Sequence, residues 1–380
     1  MNRRTRVLAL LATSALTACG APPRDDVAAP ATLTGIRFLA DREAADFSRA
    51  AAPRTFAFPE DHGSHPDYRT EWWYFTGNLA AATGAHYGFE LTFFRIGLAR
   101  APRARESRWA TRQLWMAHFA LTDTAAARFV AHERLSRGAL GLAGAAHDPF
   151  HIWVEDWSAR GELTDGAGSV RLSAADDDAG IELTLSGFER IVLQGDRGLD
   201  AKGPEPGNAS YYYSAPRLAV TGTVRAGPGA PVPVTGLAWM DREWGTSALS
   251  PGIEGWDWFA LQLDDGRDLM FYRLRGRDGT ASPFSGGSLT DAGGRTRRLT
   301  ADDVELEVVE TWQSPASGAT YPVAWDLRVP VEALELRLTP RMRDQEVRVR
   351  VRYWEGAIEL EGRAGTREIG GQGYLELAGY

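Results

Sequence analysis

The sequence predicts an almost all-β protein made of two antiparallel β-barrels in tandem, preceded by a signal peptide and a disordered tether. Short apolar or alternating segments rich in Trp, Tyr, Phe, Val and Thr recur along the chain and are broken by Gly, Asp and Asn, which is typical of strands. Turn signals recur regularly with little helical periodicity, which favours sandwiches or barrels. An aromatic segment of the first half is also repeated in the second half.

The predicted strands begin at residue 72 and continue to residue 362. In the first half they are 72–79, 87–96, 116–122, 129–135, 152–157, 169–173, 181–185 and 218–224. In the second half they are 256–263, 269–274, 304–309, 323–329, 334–338, 347–353 and 357–362.

The N-terminal residues have the form of a secretory signal. A cationic start is followed by an apolar run, Val7 to Leu16, that is too short to span a bilayer comfortably. The run ends in Leu-Thr-Ala-Cys19, which resembles the lipobox of bacterial lipoproteins, and Cys19 is the only cysteine, without a disulfide partner. We expect residues 1–18 to be removed and Cys19 to be acylated; the alternative is a soluble periplasmic protein cut nearby. Because Gly20 rather than Asp follows the cysteine, the resemblance implies attachment at the periplasmic side of the outer membrane rather than at the inner membrane.

The rest of the chain divides into a tether and two predicted domains. Residues 19–54 are rich in Ala, Pro, Arg and Asp without sustained periodicity, which predicts a tether. The remaining roughly 325 residues exceed the usual size of one domain. The Pro- and Gly-rich segment 226–233 is the predicted boundary, giving barrels at 55–233 and 234–380. The alternative is that this segment is a long hairpin turn inside one domain.

An internal similarity supports two related halves. Trp72 to Leu79 aligns with Trp256 to Leu263, sharing the first Trp, the Phe and the final Leu. After a Gly-containing turn, each half continues with an aromatic strand ending in Arg95 or Arg273. A duplicated barrel explains this economically.

The strand 256–263 is predicted to be covered on both faces. Trp256 and Trp258 share one face, and Asp257, Phe259 and the two leucines share the other. A strand that is apolar on both sides must be buried on both sides. This suits a strand between the two barrels.

Composition limits the classes of partner. The net charge of −8 comes from interspersed charges, without a Lys/Arg cluster of the kind that neutralises a phosphate backbone. We therefore expect no nucleic-acid partner. No second apolar stretch approaches the ~20 residues of a membrane helix, so we expect attachment through lipid alone.

Three segments combine aromatic and polar residues most densely, and we expect a binding site there. They are Glu71-Trp72-Trp73-Tyr74, Tyr211-Tyr212-Tyr213-Ser214 and Trp239-Met240-Asp241-Arg242-Glu243-Trp244-Gly245. The alternative for any single Trp is an ordinary core position. His118, inside an apolar strand, is either a core histidine or, if it faces a pocket, a base.

A pair of carboxylates is the candidate acid. If 239–243 is extended, Trp239, Asp241 and Glu243 point the same way, with neighbours ~7 Å apart. Burial and mutual repulsion could then raise the pKa of one carboxyl enough for it to hold a proton near neutrality. The alternative is that Arg217, Arg242 or Arg273 forms structural ion pairs that keep both carboxylates ionised.

These motifs resemble the carotenoid 1,2-hydratase (hydroxyneurosporene synthase) family, within a wider lipocalin-like group of two-barrel bacterial proteins. The carriers of the resemblance are Asp61-His62-Gly63 with the 71–74 motif, Tyr211 to Arg217, Trp239 to Gly245, and Gly255 to Phe259. The resemblance implies two lipocalin-like barrels and a pocket for a long apolar ligand. Hydration of an unactivated alkene would need a protonated carboxylic acid, aromatic faces for the developing carbocation, and a positioned water.

The sequence departs from the hydratase pattern at two places. Arg242 stands where a histidine is expected, and the segment Phe271-Tyr272-Arg273 lacks a following Asp. Relatives with the Asp-Arg-Glu-Trp-Gly version occur as lipoproteins associated with ABC-type transport systems, so the resemblance implies a carrier role for this variant.

We therefore expect a membrane-anchored lipoprotein that binds an apolar or amphipathic ligand, such as a lipid or isoprenoid, possible partners being the membrane and an ABC-type complex. The alternative is a cofactor-independent hydratase with Asp241 and Glu243 as acid and base. We expect no cofactor. We also expect no metal, since the Pro between His147 and His151 disfavours a helical face on which both imidazoles could bind one. The predicted ligand-binding residues are Glu71, Trp72, Trp73, His118, Tyr211, Tyr212, Tyr213, Trp239, Arg242, Trp244, Trp256, Asp257 and Tyr272.

Overall fold

The computed structural model describes residues 46–99, 107–164, 167–246 and 249–380. The predicted signal peptide, Cys19 and most of the predicted tether lie outside these residues. Within the described residues, three short 3₁₀ helices accompany the strands, at Glu60–His62, Ala301–Asp303 and Pro330–Glu332. None of the described helices has the length and apolar character needed to cross a membrane.

The first antiparallel sheet contains thirteen strands. They are β1 Thr70–Ala81, β2 His86–Gly97, β3 Gln113–Asp123, β4 Arg128–Arg137, β5 Ala143–His147, β6 Phe150–Val154, β7 Trp157–Thr164, β8 Ala167–Asp176, β9 Ala179–Ser186, β10 Val192–Leu193, β11 Leu199–Ala201, β12 Ala209–Ala226 and β13 Val232–Gly245. Their order is β4-β3-β2-β1-β13-β12-β9-β8-β7-β6-β5, and β10 and β11 pair with β12.

The second antiparallel sheet contains ten strands. They are β14 Ile253–Leu263, β15 Asp268–Gly276, β16 Gly286–Thr290, β17 Thr296–Thr300, β18 Glu305–Gln313, β19 Thr320–Val329, β20 Leu334–Pro340, β21 Glu346–Arg348, β22 Arg352–Ala364 and β23 Arg367–Ala378. Their order is β17-β16-β15-β14-β23-β22-β20-β19-β18, and β21 pairs with β22. In each sheet the first strand pairs with both the second and the last long strand.

Each sheet curls around an apolar core of its own, so the predicted all-β fold with two lipocalin-like barrels is confirmed. Alternation along the strands places every second side chain inside. In the first sheet the core includes Trp73, Phe75 and Phe93, and in the second it includes Phe259 and Trp325.

The Pro- and Gly-rich segment 226–233 connects β12 to β13, which pair antiparallel from Val224↔Val232 onward. The segment is therefore a hairpin turn within the first sheet. The chain passes to the second sheet between Gly245 and Ile253, so the change of sheet falls after the predicted boundary at 233/234. The reason is that β13 completes the first sheet by pairing with β1 along its length.

The two sheets pack against each other along several pairs of strands, among them β1 with β23, β2 with β22 and β12 with β14. On β14, Trp258 faces the first sheet, whereas Phe259, Leu261 and Leu263 lie in the core of the second. The prediction that this strand is covered on both faces is confirmed. A cluster of buried aromatic side chains, including Tyr74, Tyr212 and Trp258, fills the space between the sheets.

Candidate functional site

A cavity of about 190 Å³ lies between the two sheets and is lined in part by this aromatic cluster. Both sheets contribute to its wall, which is mainly apolar and contains several ionisable groups. Trp72, Phe94 and Trp256 line the cavity and are themselves only half-buried, so they mark the side that faces solvent. The chief polar or aromatic lining residues are Glu71, Trp72, Tyr74, Phe94, His118, Lys202, Ser210, Tyr212, Asp241, Glu243, Trp256, Trp258, Tyr272, Tyr353 and Glu376.

One row of directly opposed residues crosses the first sheet beneath this cavity. Asp241 on β13 faces Tyr74 on β1, which faces Thr92 on β2, which faces His118 on β3. All four side chains line the cavity. Because directly opposed residues point to the same side of a sheet, the strand register alone brings an acid and an imidazole onto one wall.

Asp241 is a buried carboxyl held by three donors. Its Oδ1 accepts hydrogen bonds from Ser214 Oγ at 2.5 Å and Trp239 Nε1 at 2.7 Å, and its Oδ2 accepts one from the Tyr212 hydroxyl. The Tyr212 oxygen also accepts a hydrogen bond from Trp258 Nε1 at 3.1 Å. Burial raises the pKa of Asp241 to about 7, although the three donors favour the charged form.

Glu243 lies on the same face of β13, as the alternation of residues 239–243 predicts, but its surroundings are different. Its Oε1 accepts a hydrogen bond from Ser210 Oγ at 2.5 Å and lies 3.5 Å from Lys202 Nζ. Burial raises the pKa of Glu243, opposed by the charge of Lys202. Lys202 also pairs with Asp200 at 2.5 Å and lies 3.9 Å from the centre of the Tyr272 ring.

The second sheet adds a third carboxyl to the wall. Glu376 on β23 accepts a hydrogen bond from Trp256 Nε1 at 3.0 Å. Burial, together with the charges of Asp241 and Glu243 and against the Trp256 hydrogen bond, raises the pKa of Glu376 to about 7. The three carboxyls are therefore close enough to influence one another's protonation.

Two more buried carboxyls lie between the sheets behind the cavity wall. Burial raises the pKa of Glu90 to about 8. Burial, with the charges of Glu376 and Glu90, also raises the pKa of Glu355 well above its usual value, and this carboxyl accepts a hydrogen bond from the Tyr74 hydroxyl. The interface between the sheets therefore favours protonated carboxyls.

Glu71 touches the cavity but is the centre of an ion-pair network. It pairs with Arg95 and Arg242, all three side chains being fully buried. Burial alone would raise the pKa of Glu71, but the two guanidiniums hold this pKa well below its usual range. Glu71 is therefore a permanent carboxylate rather than a proton donor.

The arginines expected as possible partners of Asp241 and Glu243 pair elsewhere. Arg217 pairs with Asp268, Arg242 with Glu71 and Arg273 with Asp257. The alternative in which these arginines keep both carboxylates ionised is therefore wrong. Arg217 of the first sheet pairs across to Asp268 of the second, Arg273 pairs within the second sheet, and the side chain of Arg242 projects from the opposite face of β13.

Seven of the thirteen predicted ligand-binding residues and both predicted acids are placed at or against the cavity. Six of the seven are in the wall, and Trp239 donates a hydrogen bond to Asp241 from behind it. The six are Glu71, Trp72, His118, Tyr212, Trp256 and Tyr272. The others do not reach the cavity, because neighbouring residues of a strand point to opposite faces. These are Trp73, Tyr211, Tyr213, Arg242, Trp244 and Asp257.

The residues that do not reach the cavity have structural contacts of their own. Trp73 lies in the core of the first sheet. The Tyr213 hydroxyl lies 2.6 Å from His62 Nδ1, and the Trp244 ring stacks on His65 with ring centres 3.9 Å apart. Asp257 pairs with Arg273 inside the second sheet.

The chain is similar to one protein family and to several solved structures. Residues 49–380 match the family model described as AttH-like. The chain belongs to the AttH-like family. The crystal structure named as AttH from Nitrosomonas europaea is 38% identical, with a TM-score of 0.78 over 88% of this chain and 100% of that one.

Two hydratases are among the more distant matches of this AttH-like chain. Kievitone hydratase from Fusarium solani subsp. phaseoli is 23% identical over 254 residues, covering 63% of this chain and 68% of that protein. The crystal structure of kievitone hydratase from Nectria haematococca is 15% identical, with a TM-score of 0.64 over 88% of this chain and 96% of that one. At that identity, the second match establishes a shared fold.

Several wall residues of this AttH-like chain were not among the individually predicted ligand-binding residues, although Tyr74 lies in a segment where a site was expected. Tyr74 could have been found by alternation, since it shares a face with Trp72. Lys202, Tyr353 and Glu376 carry no local signal, because only the pairing of distant strands and the packing of the sheets bring them to the cavity. Among the described residues, no group of three His, Cys, Asp or Glu side chains is arranged to hold a metal ion.

Proposed function

We propose that this AttH-like protein catalyses the acid-promoted addition of water to a C=C bond of an isoprenoid chain. The observation that carries the proposal is the Asp241 carboxyl, which lies in an aromatic cavity without an arginine partner and has its pKa raised to about 7 by burial. A carboxyl with that pKa holds a proton in part of the molecules at neutral pH. General acid catalysis is most effective when the pKa of the acid lies near the working pH.

The proposed reaction begins with proton transfer from the hydrogen-bonded pair Asp241–Tyr212 to the less substituted alkene carbon. The π electrons form the new C–H bond, Asp241 becomes a carboxylate, and the neighbouring carbon becomes a tertiary carbocation. Aromatic rings of the wall, among them Trp258 and Trp72, stabilise this cation through their π faces. A water oxygen then donates an electron pair to the cation, and loss of one water proton leaves a tertiary alcohol.

The size of the cavity supports a chain terminus as the reacting group. Pockets for whole drug-sized ligands are roughly 300–1,000 Å³, whereas this cavity is about 190 Å³. A branched five-carbon end of an isoprenoid fits this space better than a complete lipid does. The remainder of the ligand would extend past the half-buried rim at Trp72, Phe94 and Trp256.

The comparisons support the reaction class. A protein named kievitone hydratase is 23% identical over 254 residues, and the motifs of this chain resemble carotenoid 1,2-hydratases. Both names describe addition of water. The proposal for this chain is limited to an alkene terminus, without a named substrate.

The test is hydration of a probe with a 3,3-dimethylallyl chain on a phenol. We expect Asp241→Asn to lower kcat by about 100-fold or more. The control Glu335→Gln, at an exposed ion pair with Arg363 in the second sheet, should retain wild-type kcat. Glu243→Gln should lower kcat by less than Asp241→Asn does, because Glu243 is already paired with Lys202. A kcat of Asp241→Asn equal to that of the wild type would overturn the assignment of Asp241 as the acid.

Binding without turnover is the second candidate, favoured by the mainly apolar wall of the cavity. In this proposal the protein is anchored through acylated Cys19 and delivers an apolar ligand to an ABC-type transport system. Mass spectrometry of lipids extracted from native-source protein tests it. A retained isoprenoid that also survives in Asp241→Asn, with no hydrated product from the wild type, would favour the carrier.

A further inference from the structure

His118 and Tyr353 form a hydrogen-bonded pair in the cavity wall that joins the two sheets. His118 lies on β3 and Tyr353 on β22, and both are buried and line the cavity. The Tyr353 hydroxyl lies 2.7 Å from His118 Nδ1. The pair is thus contributed by both barrels and exists only when they are packed together.

Glu133 on β4 completes the arrangement from behind. It is directly opposite His118 in the sheet, and its Oε2 lies 3.4 Å from His118 Nε2. The same carboxyl pairs with Arg350, which is exposed to solvent. The chain of contacts therefore runs from the cavity through Tyr353, His118 and Glu133 to the surface.

The environment of each group fixes the direction of the hydrogen bonds. Burial, with the charges of Glu90 and Glu355, raises the pKa of Tyr353 well above its usual value, so the phenol is protonated and donates to His118 Nδ1. Burial alone would raise the pKa of Glu133, but His118 and Arg350 lower it, so Glu133 is a carboxylate. With Nδ1 as the acceptor, the hydrogen of the neutral imidazole is on Nε2, which lies 3.4 Å from Glu133 Oε2 without a hydrogen bond between them. This is the order hydroxyl, imidazole, carboxylate that lets an imidazole accept a proton.

We propose that Tyr353 and His118 accept the proton of the attacking water, with Glu133 as the positioning residue, in the hydration reaction proposed for this cavity. The inference rests on that function and assigns the half of it that Asp241 does not perform. As the water oxygen bonds to the carbocation, one water proton passes to the Tyr353 oxygen and the Tyr353 proton passes to His118 Nδ1. After the alcohol leaves, the Nδ1 proton returns through the Tyr353 oxygen to solvent water in the cavity, and the Asp241 carboxylate regains a proton from solvent water, so the enzyme returns to its starting state without net change.

The row of opposed residues places the two halves of the machinery at its ends. Asp241 and His118 are separated by Tyr74 and Thr92, which is three strand spacings or roughly 14 Å between backbones. The Tyr212 and Tyr353 side chains reach inward from these ends. The alkene terminus and one water occupy the space between them.

A second buried hydrogen bond between the sheets, from Thr122 to Gln345, provides a control for a purely structural role of the His118–Tyr353 bond. On the same face of β3, Thr122 Oγ1 donates a 2.8 Å hydrogen bond to Gln345 Oε1, another buried bond between the two halves. Neither Thr122 nor Gln345 lines the cavity. Thr122→Val therefore removes an equivalent contact between the sheets without touching the proposed machinery.

The experiment follows the 3,3-dimethylallyl phenol in D₂O and measures two products: the tertiary alcohol, and recovered alkene that has gained deuterium through reversible protonation. We expect His118→Gln and Tyr353→Phe to lower alcohol formation by about 100-fold and to leave deuterium uptake within a few-fold of wild type. Glu133→Gln should give a smaller loss with the same pattern, and Thr122→Val should leave both products unchanged.

The outcomes separate this inference from the proposed function. Equal loss of alcohol and deuterium uptake in His118→Gln and Tyr353→Phe, with Thr122→Val active, would overturn the proton-acceptor role and leave hydration standing. Losses in Thr122→Val that match those in His118→Gln would assign both bonds to sheet packing and overturn it as well. Wild-type protein that gives neither product would overturn the hydratase proposal itself, whereas deuterium uptake that vanishes only in Asp241→Asn supports both.

Discussion

Tyr74 and Trp258 occupy corresponding positions in the two similar strands β1 and β14, and their rings meet edge to face with centres 5.1 Å apart. Contact between corresponding positions is what a duplicated barrel folded onto its own copy produces. Each ring lines the cavity from its own sheet. The similarity between residues 72–79 and 256–263 thus has a direct structural counterpart at the candidate site.

Trp258 is expected to contribute to catalysis through its ring and its N–H, which donates to Tyr212. We expect Trp258→Leu to lower kcat by roughly 10–30-fold, because loss of a desolvated cation–π contact is worth about 2 kcal/mol. Trp258→Phe should lose less. Trp325→Phe, a core change in the second sheet, is the control. An unchanged kcat in Trp258→Leu would exclude a cation-stabilising role.

Activity should depend on the protonation of Asp241. Burial raises the pKa of Asp241 to about 7, so the protonated acid is present below that pH, and kcat should fall as pH rises through about 7. Ser214→Ala removes a donor that favours the carboxylate and should move this fall to higher pH by about one unit. A pH–rate profile that moves to lower pH in Ser214→Ala contradicts the assignment.

The sequence pattern predicted which face of a strand a residue occupies better than it predicted which strands pair or pack together. Alternation along 239–243 correctly placed Asp241 and Glu243 on one face, and both line the cavity. Runs such as Trp72-Trp73 and Tyr211-Tyr212-Tyr213 could not be resolved in the same way, since every residue of the run is aromatic while only alternate ones reach the cavity.

The rest of the site depends on long-range pairing. Glu376 and Tyr353 come from the last two long strands, and their position follows from the pairing of β14 with β23 and of β23 with β22. No spacing within the sequence encodes that register. The ion pairs of Arg217, Arg242 and Arg273 likewise depend on which strand lies opposite each arginine.

Glu71 is expected to stabilise the fold rather than to bind ligand. Glu71→Gln leaves Arg95 and Arg242 buried with only neutral partners, so unfolding free energy should fall by about 3–5 kcal/mol. Urea denaturation measures this change. The matched control is Glu335→Gln at an exposed pair with Arg363, which should change stability by less than about 1 kcal/mol. Equal effects of the two substitutions would contradict the buried-network argument.

Glu90 should make stability fall with rising pH. Burial raises the pKa of Glu90 from 4.5 to about 8, so the folded protein keeps a proton that the unfolded chain releases between those values. The stabilisation is complete below the unfolded pKa and is lost as pH rises through the folded pKa. Glu90→Gln should flatten this dependence. Relative to wild type, the unfolding free energy of the variant should be about 2–4 kcal/mol more favourable at pH 9 than at pH 5, as measured by thermal unfolding. The exposed Glu359→Gln serves as control, and an unaltered slope in Glu90→Gln would refute the prediction.

Gly88 lies where the two sheets approach closely and should be coupled to Ala357. A Cβ built on Gly88 would lie 2.6 Å from the Ala357 Cβ, so Gly88→Ala forces the sheets apart at this point. We expect a loss of about 1–3 kcal/mol in unfolding free energy. Gly88→Ala combined with Ala357→Gly restores the space and should recover most of that loss, giving a non-additive double-mutant cycle. Additive effects would mean that β2 and β22 can move apart at this point without loss of stability. Non-additive effects would show that Gly88 and Ala357 are in direct steric contact, on the same pair of sheets that brings Tyr353 to His118.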